Sequence, residues 1–264
     1  MTFKSEYVEL VDFMGTDLST VNSARVSFAK ESDWYNPLDK LQPYLHESLK
    51  STVDNEEEYT SKTYNTGYYL VDGKPILSDK DTKLINYLAK HGHFTPFTQN
   101  AITLRIKMPI FVERQWFKSS VGFSRNSESR RYISTEPEFW TPTEWRMAAK
   151  DKKQGSSDEV LPIDEVSACY DRTWGIWLDD LNALSLDYYN AAIEKGVAPE
   201  LARMILPQSM FTTFIETGSL AAYARLVKLR TTPDAQLEIQ QYANRVSEIM
   251  GELFPVSWKA LMGE

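Results

Sequence analysis

An α+β fold is the architecture this sequence predicts, and three observations carry the prediction. Apolar and polar residues alternate, as in half-buried strands, along Tyr7-Val8-Glu9-Leu10-Val11-Asp12-Phe13 and along Ala101-Ile102-Thr103-Leu104-Arg105-Ile106-Lys107. From about residue 164 onward the apolar residues recur at helical spacing instead. No internal repeat or low-complexity block interrupts this order, and strands followed by helices argue for a sheet with segregated helices.

After the first strand, Asp17 and Ser19 precede a short helical stretch that ends in Ala24-Arg25-Val26-Ser27-Phe28. Residues 33–75 hold Asn, Asp, Pro, Ser, Glu and Tyr with no sustained period, which predicts a long excursion with one short helix around Leu45. Asp79 or Asp81 is placed to cap a helix carrying Leu84, Ile85, Leu88 and Ala89, with a stop near Gly92. In the second strand Ile102, Leu104 and Ile106 share one face. Pro109 suits the first turn of a helix through Ile110, Phe111 and Trp116. Gly122, Ser124, Asn126 and Ser127 then break the helix into a loop. Residues 137–163, with their prolines and the polar run Lys150 to Asp158, read as a second loop insertion. The spacing predicts a long helix over 164–195, stopped at Gly196, and a short one opened by Pro199 that contains Arg203. A helix over 215–230 follows. Another begins at Pro233, with Ile239, Tyr242, Ala243, Val246 and Ile249 inward.

Composition narrows the function classes. The 264 residues, 42% hydrophobic and 12% aromatic, suffice for one large domain or two small ones. A formal net charge of −8 argues against broad binding to nucleic acid, whose affinity is built from many cations. No apolar run is long enough to span a bilayer, and the Met1-Thr2-Phe3-Lys4-Ser5-Glu6 start lacks the pattern of a secretory signal. A lone cysteine, Cys169, forms no intrachain disulfide and fits a reducing compartment, so a cytoplasmic protein is expected. Its apolar surroundings in Val166-Ser167-Ala168-Cys169-Tyr170 suit a small core residue.

Two stretches carry the chemistry. The first is His91-Gly92-His93-Phe94-Thr95-Pro96-Phe97. Its His-x-His pair has one further histidine in the chain, His46, so a metal reading needs ligands from elsewhere and no metal is expected. The second runs from Glu113 to Tyr132 and holds five cations, Arg114, Lys118, Arg125, Arg130 and Arg131, against Glu113 and Glu128. In an acidic protein that local reversal of sign suits a phosphorylated small ligand, since the planar arginine fork and serine hydroxyls match phosphate oxygens. Arg114 and Lys118, four apart, would share a helix face. From chemistry alone, a solvated basic loop stands equally open.

These stretches, with Lys107-Met108-Pro109-Ile110-Phe111-Val112, Arg114-Gln115-Trp116-Phe117, Asn126 and Ser129-x-Arg131-Tyr132, resemble the signature region of the flavin-dependent thymidylate synthases (ThyX). The likeness extends to Ala24-Arg25-Val26-Ser27-Phe28, Ala202-Arg203-Met204-Ile205-Leu206-Pro207, Leu229-Arg230 and Ala235-Gln236-x-Glu238-Ile239, in family order over most of the chain. The wording of Ser129-Arg130-Arg131-Tyr132 and Thr217-Gly218-Ser219-Leu220-Ala221-Ala222 resembles the bacteriophage branch, which would place the protein in the host cytoplasm. The resemblance implies a single domain over residues 1–264, with a central mixed or antiparallel sheet flanked by long helices and a helical C-terminal half. It implies reductive methylation of dUMP to dTMP, with FAD as flavin, and NADPH and 5,10-methylenetetrahydrofolate as cosubstrates. A homotetramer with shared active sites is implied as well.

By the same resemblance Gln115, Lys118, Ser129, Arg130, Arg131 and Arg203 hold dUMP, the arginines and serine mostly through its phosphate. Arg230 is the catalytic residue, set against the uracil ring to favour its ionised form in place of a cysteine nucleophile. Thr95, Lys118, Ser119, Ser120 and Ser127 face the flavin, with Ser219, Ala221 and Arg225 near it, and His93 stands where members keep a histidine. Several positions depart from the family. Lys118-Ser119-Ser120 replaces Arg-His-Arg, one extra residue precedes Asn126, Ser127 replaces a glutamate, and Ser219-x-Ala221 replaces Asn-x-Arg. Each departure removes a polar or charged flavin contact, for which Arg125 and Arg225 are candidate substitutes. Two alternatives follow from those losses: a hydroxymethylase-like pyrimidine-nucleotide enzyme, or a non-catalytic nucleotide-binding homologue. Ser129 as a nucleophile lacks a visible third group to orient a base, so a ligand role is expected.

Overall fold

A computed structural model describes residues 3–4, 7–35, 70–71, 74–150, 155–162, 166–167 and 172–263. The expected helix around Leu45, and Cys169 and His46, lie outside the described residues. The chain divides into two compact units, residues 1–14 with 101–250, and residues 15–100 with 251–264.

The first unit is built on a four-stranded sheet in the order β1 (Val8–Met14), β4 (Ala101–Pro109), β10 (Phe211–Gly218), β5 (Phe123–Ser127), antiparallel throughout. Ile102, Leu104, Ile106 and Met108 of β4 are all fully buried, as period-two patterning requires. Two of these strands depart from the sequence expectation. The stretch expected to open a helix at 215 is β10, a central strand, and α6 (Leu220–Arg230) starts only after it. Its run of Phe, Thr, Thr, Phe, Ile and Thr is rich in β-branched and aromatic residues, the strand signal that the following apolar helix obscures. The stretch expected to be a loop at 122–127 contains β5, an edge strand stabilised by its ladder with β10 rather than by composition.

Other boundaries shift for local reasons. Pro109 is the extended N-cap of α3 (Ile110–Trp116), so β4 runs directly into that helix. The long helix begins at α4 (Trp174–Glu194), not near 164, because Val166–Ser167 and Arg172–Thr173 pair as short strands β8 and β9. The expected loop insertion at 137–163 carries an antiparallel pair, β6 (Trp145–Ala148) and β7 (Ser156–Leu161). α5 (Pro199–Ala202) leads into a 3₁₀ turn at Arg203–Ile205. α7 (Leu237–Leu253) starts four residues after Pro233, and Ile239, Tyr242, Ala243, Val246 and Ile249 are buried as expected.

The second unit holds α1 (Asp17–Arg25), the short hairpin of β2 (Leu70–Val71) and β3 (Lys74–Pro75), α2 (Asp79–Lys90), and α8 (Pro255–Met262). The caps lie ahead of the expected acids: Thr16 before Asp17, and Ser78 before Asp79 and Asp81. Thr16 caps α1 in a reciprocal box with Ser19, and Ser78 caps α2 by accepting from the Asp81 amide at 3.2 Å. The displaced acids have other tasks. Asp17 is buried and accepts from the amides of Val256 at 2.9 Å and Ser257 at 2.8 Å, the open first turn of α8. Burial pushes the Asp17 carboxyl up, against these hydrogen bonds. Burial also pushes Asp81 up, but hydrogen bonds from Arg25, Ser78 and Ser32 outweigh it and hold that carboxyl low. The α8 helix was not expected; Pro255 at its start was the available signal.

Candidate active site

Within the first unit, α3 and the segment after β5 bring cations together. A cavity of about 520 Å³ is lined by Arg114, Ser129, Arg130, Arg203 and Thr212, among others. Arg130 is 8% exposed; its Nη1 donates to the Thr135 carbonyl, while its Nε is buried with no partner among the described residues. Arg203 donates from Nε to the Glu200 carbonyl at 3.3 Å and keeps its remaining donors for the cavity it lines. The Ser129 hydroxyl oxygen accepts from the amide and Nε of Arg131, at 3.4 and 3.5 Å. Both contacts come from donors, so neither partner acts as a base toward Ser129. Arg131 itself is exposed, lies 4.9 Å from the Tyr132 ring and does not line the cavity.

A second cavity of about 470 Å³ shares Ile110, Arg114, Glu128 and Thr212 with the first and adds Glu113, Lys118 and Ser127. Arg114, to which sequence reasoning assigned no ligand, is thus common to both; its spacing to Lys118 was the signal. Burial pushes the Glu113 carboxyl up despite Arg114 and Arg125 nearby. Guanidinium groups with unused donors in a recess suit a phosphate ester.

Gln115 and Arg230 meet on the same unit. Arg230, in the last turn of α6, donates from Nη2 to the Gln115 carbonyl, and its Nε is buried without a partner among the described residues. Burial lowers the Arg230 pKa from its ordinary value, but a guanidinium starts so far above neutrality that it stays charged. The Gln115 amide donates to Gln236, whose own amide donates to Glu238 at 2.8 Å, and Glu238 accepts from Arg146 at 2.6 Å.

The flavin candidates of this unit cluster where the 118–122 loop meets the start of α6. Gly122 has φ +83°, and a Cβ there would sit 2.9 Å from the Ala222 Cβ and 3.6 Å from the Ser219 Oγ, so only glycine lets the loop come this close. Ser219 caps α6 by accepting from the Ala222 amide at 3.2 Å, and Ala221 is buried. Arg225 is exposed and donates to the Val121 carbonyl at 3.0 Å. Ser120 and Ser127 are exposed and Ser119 is half-buried. Arg125 is not available as a substitute flavin contact. It forms a buried ion pair with Glu216, directly opposite on β10, and lies 4.8 and 4.7 Å from the rings of Phe117 and Phe123. In the second unit, His93 and Thr95 line a cavity of about 920 Å³ with Arg25, Phe28 and Tyr87.

The family profile described as "Thymidylate synthase complementing protein" matches residues 9–256. A flavin-dependent thymidylate synthase of Thermus thermophilus is 32% identical over 254 residues, covering 96% of this chain and 74% of that one. The chain belongs to the flavin-dependent thymidylate synthase family. Another member, from Thermosipho africanus, is 30% identical over 262 residues, covering 97% of this chain and 90% of that protein. Among solved structures, a UMP/dUMP methylase PolB from Streptomyces cacaoi bound with 5-Br dUMP matches with a TM-score of 0.67 and 25% identity, covering 96% of this chain and 93% of that one. The antiparallel sheet and helical surround are therefore a flavin-dependent thymidylate synthase fold, and the ordered motifs of the sequence mark the same membership.

Proposed function

We propose that this flavin-dependent thymidylate synthase family member converts dUMP to dTMP. One observation carries the reading: a recess lined by Arg114, Ser129, Arg130 and Arg203 occurs in the same unit as a charged, half-desolvated Arg230 held on Gln115. The recess suits the 5′-phosphate, with Lys118 and Arg131 as further dUMP contacts. Arg230 suits a pyrimidine whose ring must carry negative charge at carbon 5 before it takes a one-carbon unit. A fixed cation in a partly dry site stabilises such charge far better than water does. No thiol is needed, and Cys169 has no part in the scheme.

The residues present fit a flavin. Gly122 closely approaches Ser219 and Ala222 at the N-terminal end of an eleven-residue helix, where backbone amides and hydroxyls suit a pyrophosphate, and Ser119, Ser120 and Arg225 are the further candidates of this loop and helix. Ser127, Ser219 and Ala221 belong to the same proposed group; His93 and Thr95 remain flavin candidates through the resemblance alone. Reduced FAD would supply the hydride that completes the methyl group; NADPH would recharge it, and 5,10-methylenetetrahydrofolate would donate the carbon. The profile match across residues 9–256 covers both units and supports one working domain. A homotetramer with shared sites is supported by Ile176, Leu184 and Tyr188, which leave an exposed apolar face on α4. No described helix is long and apolar enough to cross a membrane, and cytoplasmic residence goes with this reading. The names of the relatives favour it over the hydroxymethylase and non-catalytic alternatives.

The test is the absorption spectrum of the purified protein with added FAD, before and after dUMP, followed by product analysis with folate and NADPH. A flavin band that shifts on adding dUMP, together with dTMP formation, is expected. A colourless protein indifferent to FAD would reject the reading.

A further inference from the structure

We propose that Arg146 is a positioning residue that sets base specificity: through Glu238 and Gln236 it fixes which way round Gln115 shows its amide to the pyrimidine. The inference rests on the dUMP reading proposed above, and takes it one step further by setting the Gln115 amide beside Arg230 at the pyrimidine ring.

The direction of the hydrogen bonds follows from the chemistry of the groups. Arg146 reaches from β6, anchored by its Nε to the Ser156 hydroxyl at 2.9 Å, and donates from Nη2 to Glu238 Oε1 at 2.6 Å. Arg146 is 20% and Glu238 8% exposed, so the pair is largely shielded from water. A carboxylate held by a guanidinium only accepts. Gln236 must therefore turn its NH₂ toward Glu238, which leaves its oxygen for Gln115. Gln115 in turn must give an N–H to that oxygen. Its own oxygen and second N–H are then fixed in one order, while Arg230 holds its backbone carbonyl.

A fixed amide distinguishes two pyrimidines. Uracil shows an acceptor at position 4 beside a donor at N3, and cytosine shows the reverse. An amide locked in one sense matches the first and opposes the second; an amide free to flip accommodates both. The hairpin that carries Arg146 lies in the segment expected to be a loop insertion, and this contact gives it a task at the site.

The experiment compares dissociation constants of dUMP, dCMP and 2-deoxyribose 5-phosphate by calorimetry on the flavin-loaded protein. Wild type should prefer dUMP to dCMP. In Arg146→Met the dCMP-to-dUMP ratio should fall by about tenfold, the scale of one mismatched buried hydrogen bond, with 2-deoxyribose 5-phosphate binding unchanged. Glu238→Gln should do the same with no loss of volume, because an amide there accepts or donates. Arg146→Lys should restore most of the preference. Folded Arg146→Met and Glu238→Gln proteins with the wild-type ratio would overturn the proposal, as would a wild type without preference. Gln115→Ala separates the two levels. If it leaves the ratio intact, Gln115 is not at the ring; if it collapses the ratio while the other two variants do not, only the relay is wrong.

Discussion

Arg125→Met should be among the most destabilising single changes in the first unit. Glu216 is fully buried and Arg125 is 11% exposed, and they face each other across β5 and β10. Without the guanidinium, Glu216 keeps the Trp116 indole N–H, 3.1 Å away, and the Tyr223 hydroxyl as neutral hydrogen-bond donors. Removing one partner of a buried ion pair costs about 3–5 kcal/mol, since the other charge stays behind uncompensated. Methionine fills most of the vacated space, so that electrostatic cost dominates. For a chain of this length the melting temperature should drop by roughly 6–20 °C. Burial already lifts the Glu216 carboxyl above its ordinary pKa, against Arg125 and the Trp116 hydrogen bond. Losing Arg125 lifts it further. A carboxyl raised in the folded state contributes stability below its unfolded pKa and loses it as pH rises through the folded value. The deficit of the variant should therefore be larger at pH 8 than at pH 5. Urea titrations followed by tryptophan fluorescence at both pH values give the numbers. A deficit under about 1 kcal/mol at pH 8, far below the cost of an orphaned buried charge, would refute the reasoning; so would one that grows on acidification. Arg125→Met with Glu216→Leu should recover much of the loss.

Other outcomes are equally definite. Arg230→Ala should lower kcat by about 10²–10³-fold, the scale of a lost charge-stabilising donor, with an unchanged circular dichroism spectrum; near-normal turnover would remove its role. Arg203→Ala should weaken dUMP binding about tenfold or more and leave the melting temperature alone, because its side chain is exposed; calorimetry with dUMP at fixed salt reads the first and a thermal melt the second. Asp17→Ala removes the acceptor of two amides of α8 and should cost about 1–3 kcal/mol by urea titration. Cys169→Ala should keep synthesis, and a folded, flavin-loaded but dead variant would restore cysteine chemistry to consideration.

What the sequence made legible was what local pattern controls. The alternation in β4 and the spacing in α7 gave their buried faces residue by residue, because period and burial are the same fact. Of the residues that the ordered motifs singled out, Ser129, Arg130 and Arg203 line one cavity and Arg131 does not. Elements stabilised by distant neighbours were not legible. β5 carries glycine-adjacent, polar and charged residues and exists as a strand through its ladder with β10. Asp17 and Asp81, one and three residues past the true caps Thr16 and Ser78, look like capping acids yet serve other groups, α8 and Arg25 respectively. Arg146 gave no local sign at all. Its contact with Glu238 spans ninety-two positions, and nothing in the run of residues 137–163 distinguishes it from a solvated arginine.

The middle of the sheet has a temporal consequence. β4 zips to β10 from Pro109 against Phe211 to Ile102 against Gly218, so a central seam closes between segments made far apart in time. Ribosomal synthesis presents β4 long before its partner, with one edge engaged by β1 and the other bare. A bare edge with buried-type side chains invites association with a neighbouring nascent chain until residue 218 has emerged. Closing so wide a loop also makes the seam a slow step. Truncations that stop short of Gly218 should accumulate as aggregates rather than as partly active protein.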